Sequence, residues 1–205
     1  MYKIKDKIEN TIIIKKSKFI CQIFRVDSIE EINDILANTR KKYYDATHNC
    51  YAYILGENQD IQKASDDGEP QKTAGGPMLD VLKKNNLTNV LAIVTRYFGG
   101  TLLGAGGLIR AYSSSVSEAL ENVKLYVDKL QTKFNLTISY SDYNNVLNIK
   151  DINIIETSFL NDVIIIGSID LDKFDDLENM LYKNKITSVN IKKIGDFKIE
   201  IPVSA

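Results

Sequence analysis

The chain has 205 residues, 44% of them hydrophobic, with 26 basic and 27 acidic side chains for a net charge of −1. These totals exclude a disordered or fibrous protein and a protein coated in basic surface, and no apolar run is long enough to span a bilayer. The first residues lack a signal peptide's apolar middle, so a cytoplasmic protein is expected, with Cys21 and Cys50 as buried free thiols.

Ser17 to Val26 alternates as a strand, with Ile12 to Ile14 as a second beside it. Ser28 and Glu31 then form a capping box. It opens a helix whose Ile29, Ile32, Ile35 and Leu36 share a face and whose basic end, Arg40 to Lys42, suits the helix dipole. "HNCYAYIL", residues 48–55, reads as the next strand and 66–70 as a turn. Pro77 suits the first turn of a helix with Met78, Val81 and Leu82 inward. "NVLAIVT" is apolar on both faces, which predicts a central strand. After it, Ile109, Tyr112, Val116, Leu120 and Val123 mark one stripe of a long helix.

The pattern resets near Lys124 to Asp128. Strand 132–139, a helix around 141–149, strands 151–158 and 161–169, a helix over 171–183 and strand 186–194 follow as β-α-β-β-α-β, the order of a ferredoxin-like sandwich. Leu171, Phe174, Leu177 and Leu181 face inward from the last helix. The expected fold class is α+β in two domains, 1–126 and 127–205.

Chemistry concentrates in "TRYFGGTLLGAGGLIRA", where Gly99, Gly100, Gly104, Gly106 and Gly107 fall within nine residues between a strand and a helix. Bare amides at a helix start form a cradle for an anion, with Arg96 and Arg110 as cations at its rim. The spacing is neither a Walker A loop, since Ala105 stands where the lysine would, nor the dinucleotide fingerprint. The alternative is that the glycines serve only positive φ and tight packing. Thr73 and Gly75 before Pro77 make a second helix start that could face the same cleft. Asp66, Asp67 and Glu69 around Gly68 are candidate ligands for a divalent cation, or a solvated acidic turn. His48, the only histidine, shares a strand face with Cys50, but no third group is implied to orient it for catalysis.

Taken in order, "HNCYAY", "SDDGEP", "TAGGP", "VTRYFGG" and "LGAGGLIRAY" resemble the IMPACT/YigZ family. The resemblance is tight over about residues 15 to 123. It implies a first domain like the βαβ fold of ribosomal and elongation-factor domains, and a second like the last domain of elongation factor G. It also implies a role near translation: binding of RNA or ribosome-associated factors, or of a protein partner, with no membrane, no cofactor and no established reaction. The family's motif residues fall here on His48, Asp66, Asp67, Gly68, Glu69, Thr73, Gly75, Arg96, Tyr97, Gly99, Gly100, Gly104, Gly106, Gly107 and Arg110. Gly76 stands where a basic residue is frequent in the family.

Three functions are compatible with these residues. A non-enzymatic binder would hold an RNA phosphate at the glycine loop, with Tyr97 or Phe98 stacking on a base. An enzyme of the kinase or hydrolase type would hold a small phosphorylated compound there, with a metal on the acidic turn. A protein-interaction module regulating translation would use the same loop as scaffold only.

Overall fold

The computed structural model describes residues 1–186 and 189–203, and the chain divides into two compact units, Met1–Val127, to which it returns at Pro202, and Asp128–Ile201. In the first, the elements are β1 (Ile8–Ile14), β2 (Ser17–Arg25), α1 (Ile29–Lys42), β3 (His48–Leu55), β4 (Ile61–Ser65), α2 (Gly75–Lys84), β5 (Val90–Tyr97) and α3 (Ala105–Ala119). The sheet order is β1-β2-β5-β3-β4, antiparallel throughout. The run that is apolar on both faces is therefore the middle strand, as expected. Val90, Ala92 and Val94 of β5 pack toward α2 and α3, while the alternate Leu91 and Ile93 pack toward α1.

The start of α1 follows its sequence signal. Ser28 Oγ accepts from the Glu31 amide at 3.1 Å, and the Glu31 carboxylate accepts from the Asp27 amide at 2.9 Å. Other elements depart from expectation. β1 is seven residues rather than a triplet, paired along its whole length with β2. β4 was not expected at all, because "IQKAS" has too little apolar alternation and is specified by its pairing with β3 at the sheet edge. On α3 the buried face comprises Leu108, Ala111, Tyr112, Ser115, Val116 and Ala119, while Ile109 is 41% exposed and the helix stops before Leu120. Tyr112 and Val116 of the expected stripe are buried and Leu120 and Val123 pack on the same core, so Ile109 alone departs; the small Ala111, Ser115 and Ala119 join the buried face and carry little hydropathy signal.

The second unit runs β6 (Tyr126–Ile138), a 3-10 turn into α4 (Tyr143–Leu147), β7 (Asn153–Phe159), β8 (Val163–Asp170), a 3-10 turn over Leu171–Asp176 into α5 (Leu177–Lys183), and β9 (Asn190–Pro202). The sheet order is β7-β8-β6-β9, with the β-α-β-β-α-β sequence of elements expected. Phe134, Leu136, Val163, Ile165, Leu177 and Leu181 form its core. Leu171 is 37% exposed instead of inward, because the first half of the expected helix winds at three residues per turn and loses the 3.6 register. The last strand lies later than expected, and two residues of the expected 186–194 span, Thr187 and Ser188, lie outside the described residues.

Cys21 and Cys50 are both buried and free. Each is registered opposite Val94, on either side of β5, so their Cα atoms are about two strand spacings, ~10 Å, apart, beyond the reach of a disulfide. Burial pushes the Cys21 thiol up, and pushes the Cys50 thiol up to about 12.

Two expectations follow from this packing. Added to Gly99, a Cβ would lie 2.0 Å from the Lys16 carbonyl carbon, whereas at Gly106 it would meet nothing within 4 Å. In denaturant unfolding, Gly99→Ala should cost about 3 kcal/mol, and Gly106→Ala, inside the first turn of α3, should stabilise by about 0.5–1 kcal/mol. Neither thiol should react with iodoacetamide in the native protein at about pH 8, and both should react in denaturant. Since the fold keeps the thiols protonated where unfolded thiols ionise, the unfolded state binds fewer protons there. Stability should fall as the pH rises from 9.0 toward about 12, and the fall should be shallower in Cys50→Ala.

Candidate binding pocket

β3 begins, β5 ends and β2 begins at one end of the first sheet, and His48 and Arg96 are cross-strand partners there. Strand alternation turns both toward the α2 and α3 side. Arg96 is 5% exposed. Its Nη1 donates to Glu69 Oε1 at 2.6 Å, Nη2 donates to Ser17 Oγ at 3.4 Å, and the guanidinium carbon lies over the rings of Phe19 and Phe98, 5.4 and 5.6 Å from their centroids. Tyr112 Oη donates to the same Glu69 Oε1 at 2.8 Å, and His48 Nε2 lies 3.9 Å from it. Arg96 Nε is sealed from solvent with no hydrogen-bond partner among the described residues, a cost the fold carries at this point.

His48, Glu69 and Arg96 line a cavity of about 430 Å³. Pro70, Phe98, Leu103 and Leu108 wall it, the start of α3 at Gly104 and Ala105 opens onto it, and Leu102, 82% exposed, stands at its mouth. Such a volume suits a single small-molecule-sized group held by few polar contacts.

The acidic turn is built into the chain. Asp66 Oδ1 accepts from the amides of Ala74 and Gly75 at 3.0 and 2.9 Å, and its Oδ2 accepts from Lys72 at 2.8 Å. Asp67 Oδ2 accepts from the Asn49 amide at 2.7 Å, with Oδ1 3.7 Å from Arg40. Asp67 and Gly68 both take positive φ, which curls the turn so that the Asp67 carbonyl receives a hydrogen bond from His48 Nδ1 at 2.8 Å. Asp66, Asp67 and Glu69 thus serve three separate sets of donors, and among the described residues no group of three metal-ligating side chains forms. Their carboxylates act as cap, turn and ion-pair partner.

The two expected helix starts differ for the same reason. At α2 the chain supplies its own anion, the Asp66 carboxylate, so the Gly75 amide is taken; Thr73 Oγ1 donates to the Pro70 carbonyl, and neither residue lines the cavity. At α3 the N-cap is Gly104 at φ 70°, which carries no capping side chain, and among the described residues nothing accepts from the amides of Ala105, Gly106 and Gly107. Gly106 is exposed and has neither a positive φ nor a close neighbour, so the fold makes no demand for glycine there.

Of the residues singled out in the sequence, His48, Glu69, Arg96 and Gly104 meet in this cavity. Arg96 does so at the floor and already paired, rather than as a rim cation. Arg110 is exposed, lies outside the cavity lining and has no carboxylate partner among the described residues. Tyr97 faces the other side of the sheet, where its Oη donates to Asp45 at 2.8 Å, so Phe98 is the ring beside the cavity. Gly99 packs on the Lys16–Ser17 backbone and its amide donates to Ser17 Oγ at 3.1 Å, while Gly100 turns the chain at φ 80°. Cys50 Sγ donates to the Asp66 carbonyl and faces Tyr112 Oη, not His48. Ser17 and Tyr112 carried no sequence signal, since a polar group in a strand end and a tyrosine in an apolar stripe read as ordinary surface and core.

A model of the Impact N-terminal domain matches residues 15–120. The chain is 49% identical over 140 residues to a Bacillus subtilis protein described as IMPACT family member YvyE, covering 68% of this chain and 64% of that one. It is 37% identical over 135 residues to Escherichia coli IMPACT family member YigZ, covering 65% and 66%. The alignments therefore span just under two thirds of these curated relatives. A crystal structure described as that of a hypothetical protein superposes with a TM-score of 0.60 at 29% identity, covering 94% of this chain and 96% of the other. With the Impact N-terminal domain matching half of its length, and five motifs in order within that stretch, the chain belongs to the IMPACT family.

Proposed function

We propose that the chain is a translation-associated binding protein, without chemistry of its own, that holds a phosphate-bearing ligand at the start of α3, and that this ligand is RNA. The observation that carries the reading is the contrast between the two helix starts. The chain fills one with its own carboxylate and leaves the other open beside a 430 Å³ cavity, with glycine at a position the fold does not constrain. Unpaired amides at the positive end of a fifteen-residue helix favour an anion. Phe98, 46% exposed beside the cavity, offers a face on which a base can stack. Membership in the IMPACT family supports the setting in translation.

One observation favours a second reading, a protein partner. Leu102 and Phe98 expose apolar surface at the mouth of the cavity, as contact sites for proteins do. Partners captured from lysate that survive nuclease treatment would favour it over RNA.

The direct test is binding of the full chain to single-stranded RNA of mixed sequence as salt is raised. Wild-type affinity should fall with salt, and Arg110→Ala should lower the slope by about 0.7, the value of one phosphate contact on a single strand. Ala105→Glu places a permanent carboxylate at the exposed helix start. It should leave the melting temperature unchanged or raised while weakening RNA binding roughly tenfold. Unchanged affinity in both variants would remove the α3 start from the RNA site.

A further inference from the structure

We infer that the pocket is polarised: Glu69 Oε2, at its floor, accepts a hydrogen bond from a neutral N–H of a nucleobase, so the ligand enters base first and leaves its phosphate at the start of α3. The inference rests on the phosphate-ligand reading and adds which end of the ligand goes where.

Glu69 is bonded on one side only. Oε1 takes Arg96 Nη1 and Tyr112 Oη, whereas Oε2 has no donor among the described residues. A carboxylate offers about four lone-pair positions, so roughly half of its capacity is unused. The single side-chain polar atom both sealed and unpartnered among the described residues is Arg96 Nε, so Oε2 is not sealed. The Glu69 side chain is 3% exposed and lines the cavity, and what remains of its surface opens there. An oxygen that opens into a cavity with apolar walls is placed to accept from a donor-bearing guest.

The charges facing Oε2 choose the kind of donor. Arg96 neutralises Glu69 at 2.6 Å, His48 Nε2 lies 3.9 Å from the same Oε1, and the amides of α3 add partial positive charge at the opening. A cationic guest therefore meets no net negative field, and an anionic one placed at the floor meets Oε2 directly. A neutral N–H or O–H remains. The walls, Phe98 with Pro70, Leu103 and Leu108, suit a flat apolar body carrying that donor. A base edge with an amino or imino group meets both demands. A ribose hydroxyl supplies the same hydrogen bond from a different source.

The probes are five-residue RNAs of adenosine, cytidine, guanosine or uridine, and a fifth made of purine riboside, which keeps every ribose hydroxyl and phosphate but has no N–H donor on the base. They are titrated against the full chain at one salt concentration. At least one natural series should bind about tenfold tighter than the purine riboside series, the worth of one hydrogen bond to a charged acceptor. In Glu69→Gln the amide oxygen keeps Arg96 and Tyr112 while an NH₂ faces the cavity, so the gap should close or invert. Should that variant fail to fold, the wild-type series still decides. Purine riboside binding as tightly as the best natural series, with a normal salt slope, would overturn base-edge recognition and leave the phosphate reading standing. If none of the five binds, both fall.

Discussion

The buried pair of Arg96 with Glu69 organises the first unit and its pocket together. It ties the end of β5 to the turn before α2, Ser17 adds the start of β2, and Tyr112 adds the middle of α3. Four segments far apart in sequence thus converge on two charged side chains. Taking both charges out of water is expensive, and the cost is offset by the hydrogen bonds of the pair and by the Phe19 and Phe98 rings near the guanidinium. Removing one partner alone would strand the other, at a cost of roughly 3–5 kcal/mol. Because the same atoms floor the cavity, the fold cannot lose this pair and keep the site.

The acidic turn gains a different meaning from this arrangement. A cluster of three carboxylates around a glycine suggests a cation site when read alone. In the structure each is spent on a separate structural task, and the most productive is Asp66, which closes the start of α2 with three amide hydrogen bonds. The consequence reaches the candidate site by contrast, since the first amides of α3 stay unpaired among the described residues.

Much of the architecture was legible from residue pattern. The capping box of α1, the doubly apolar β5 and the β-α-β-β-α-β order of the second unit are local or periodic signals, and these survive folding because backbone geometry itself sets the period. β4 was illegible because an edge strand needs hydrogen bonds from its neighbour more than apolar alternation of its own. On α3 Tyr112 and Val116 were legible as the inward stripe, whereas Ala111, Ser115 and Ala119 are buried for being small and gave no hydropathy signal. The five glycines divide along the same line. Gly99 answers to packing, as Gly107 does more loosely against Leu103, Gly100 and Gly104 answer to positive φ, and Gly106 answers to neither.

Residue pattern by itself pointed to an α+β chain, the order of five short motifs to the IMPACT family, and the glycines to the stretch around Gly99 to Gly107. Only tertiary contact decided that Arg96 is a buried partner and not a surface cation, that Glu69 is the carboxylate it pairs with, and that Phe98 and not Tyr97 borders the cavity. The physical reason is range. Periodicity, capping and turn chemistry act over a few residues and are written in the local sequence, whereas the charge state and exposure of a side chain depend on what distant segments bring against it.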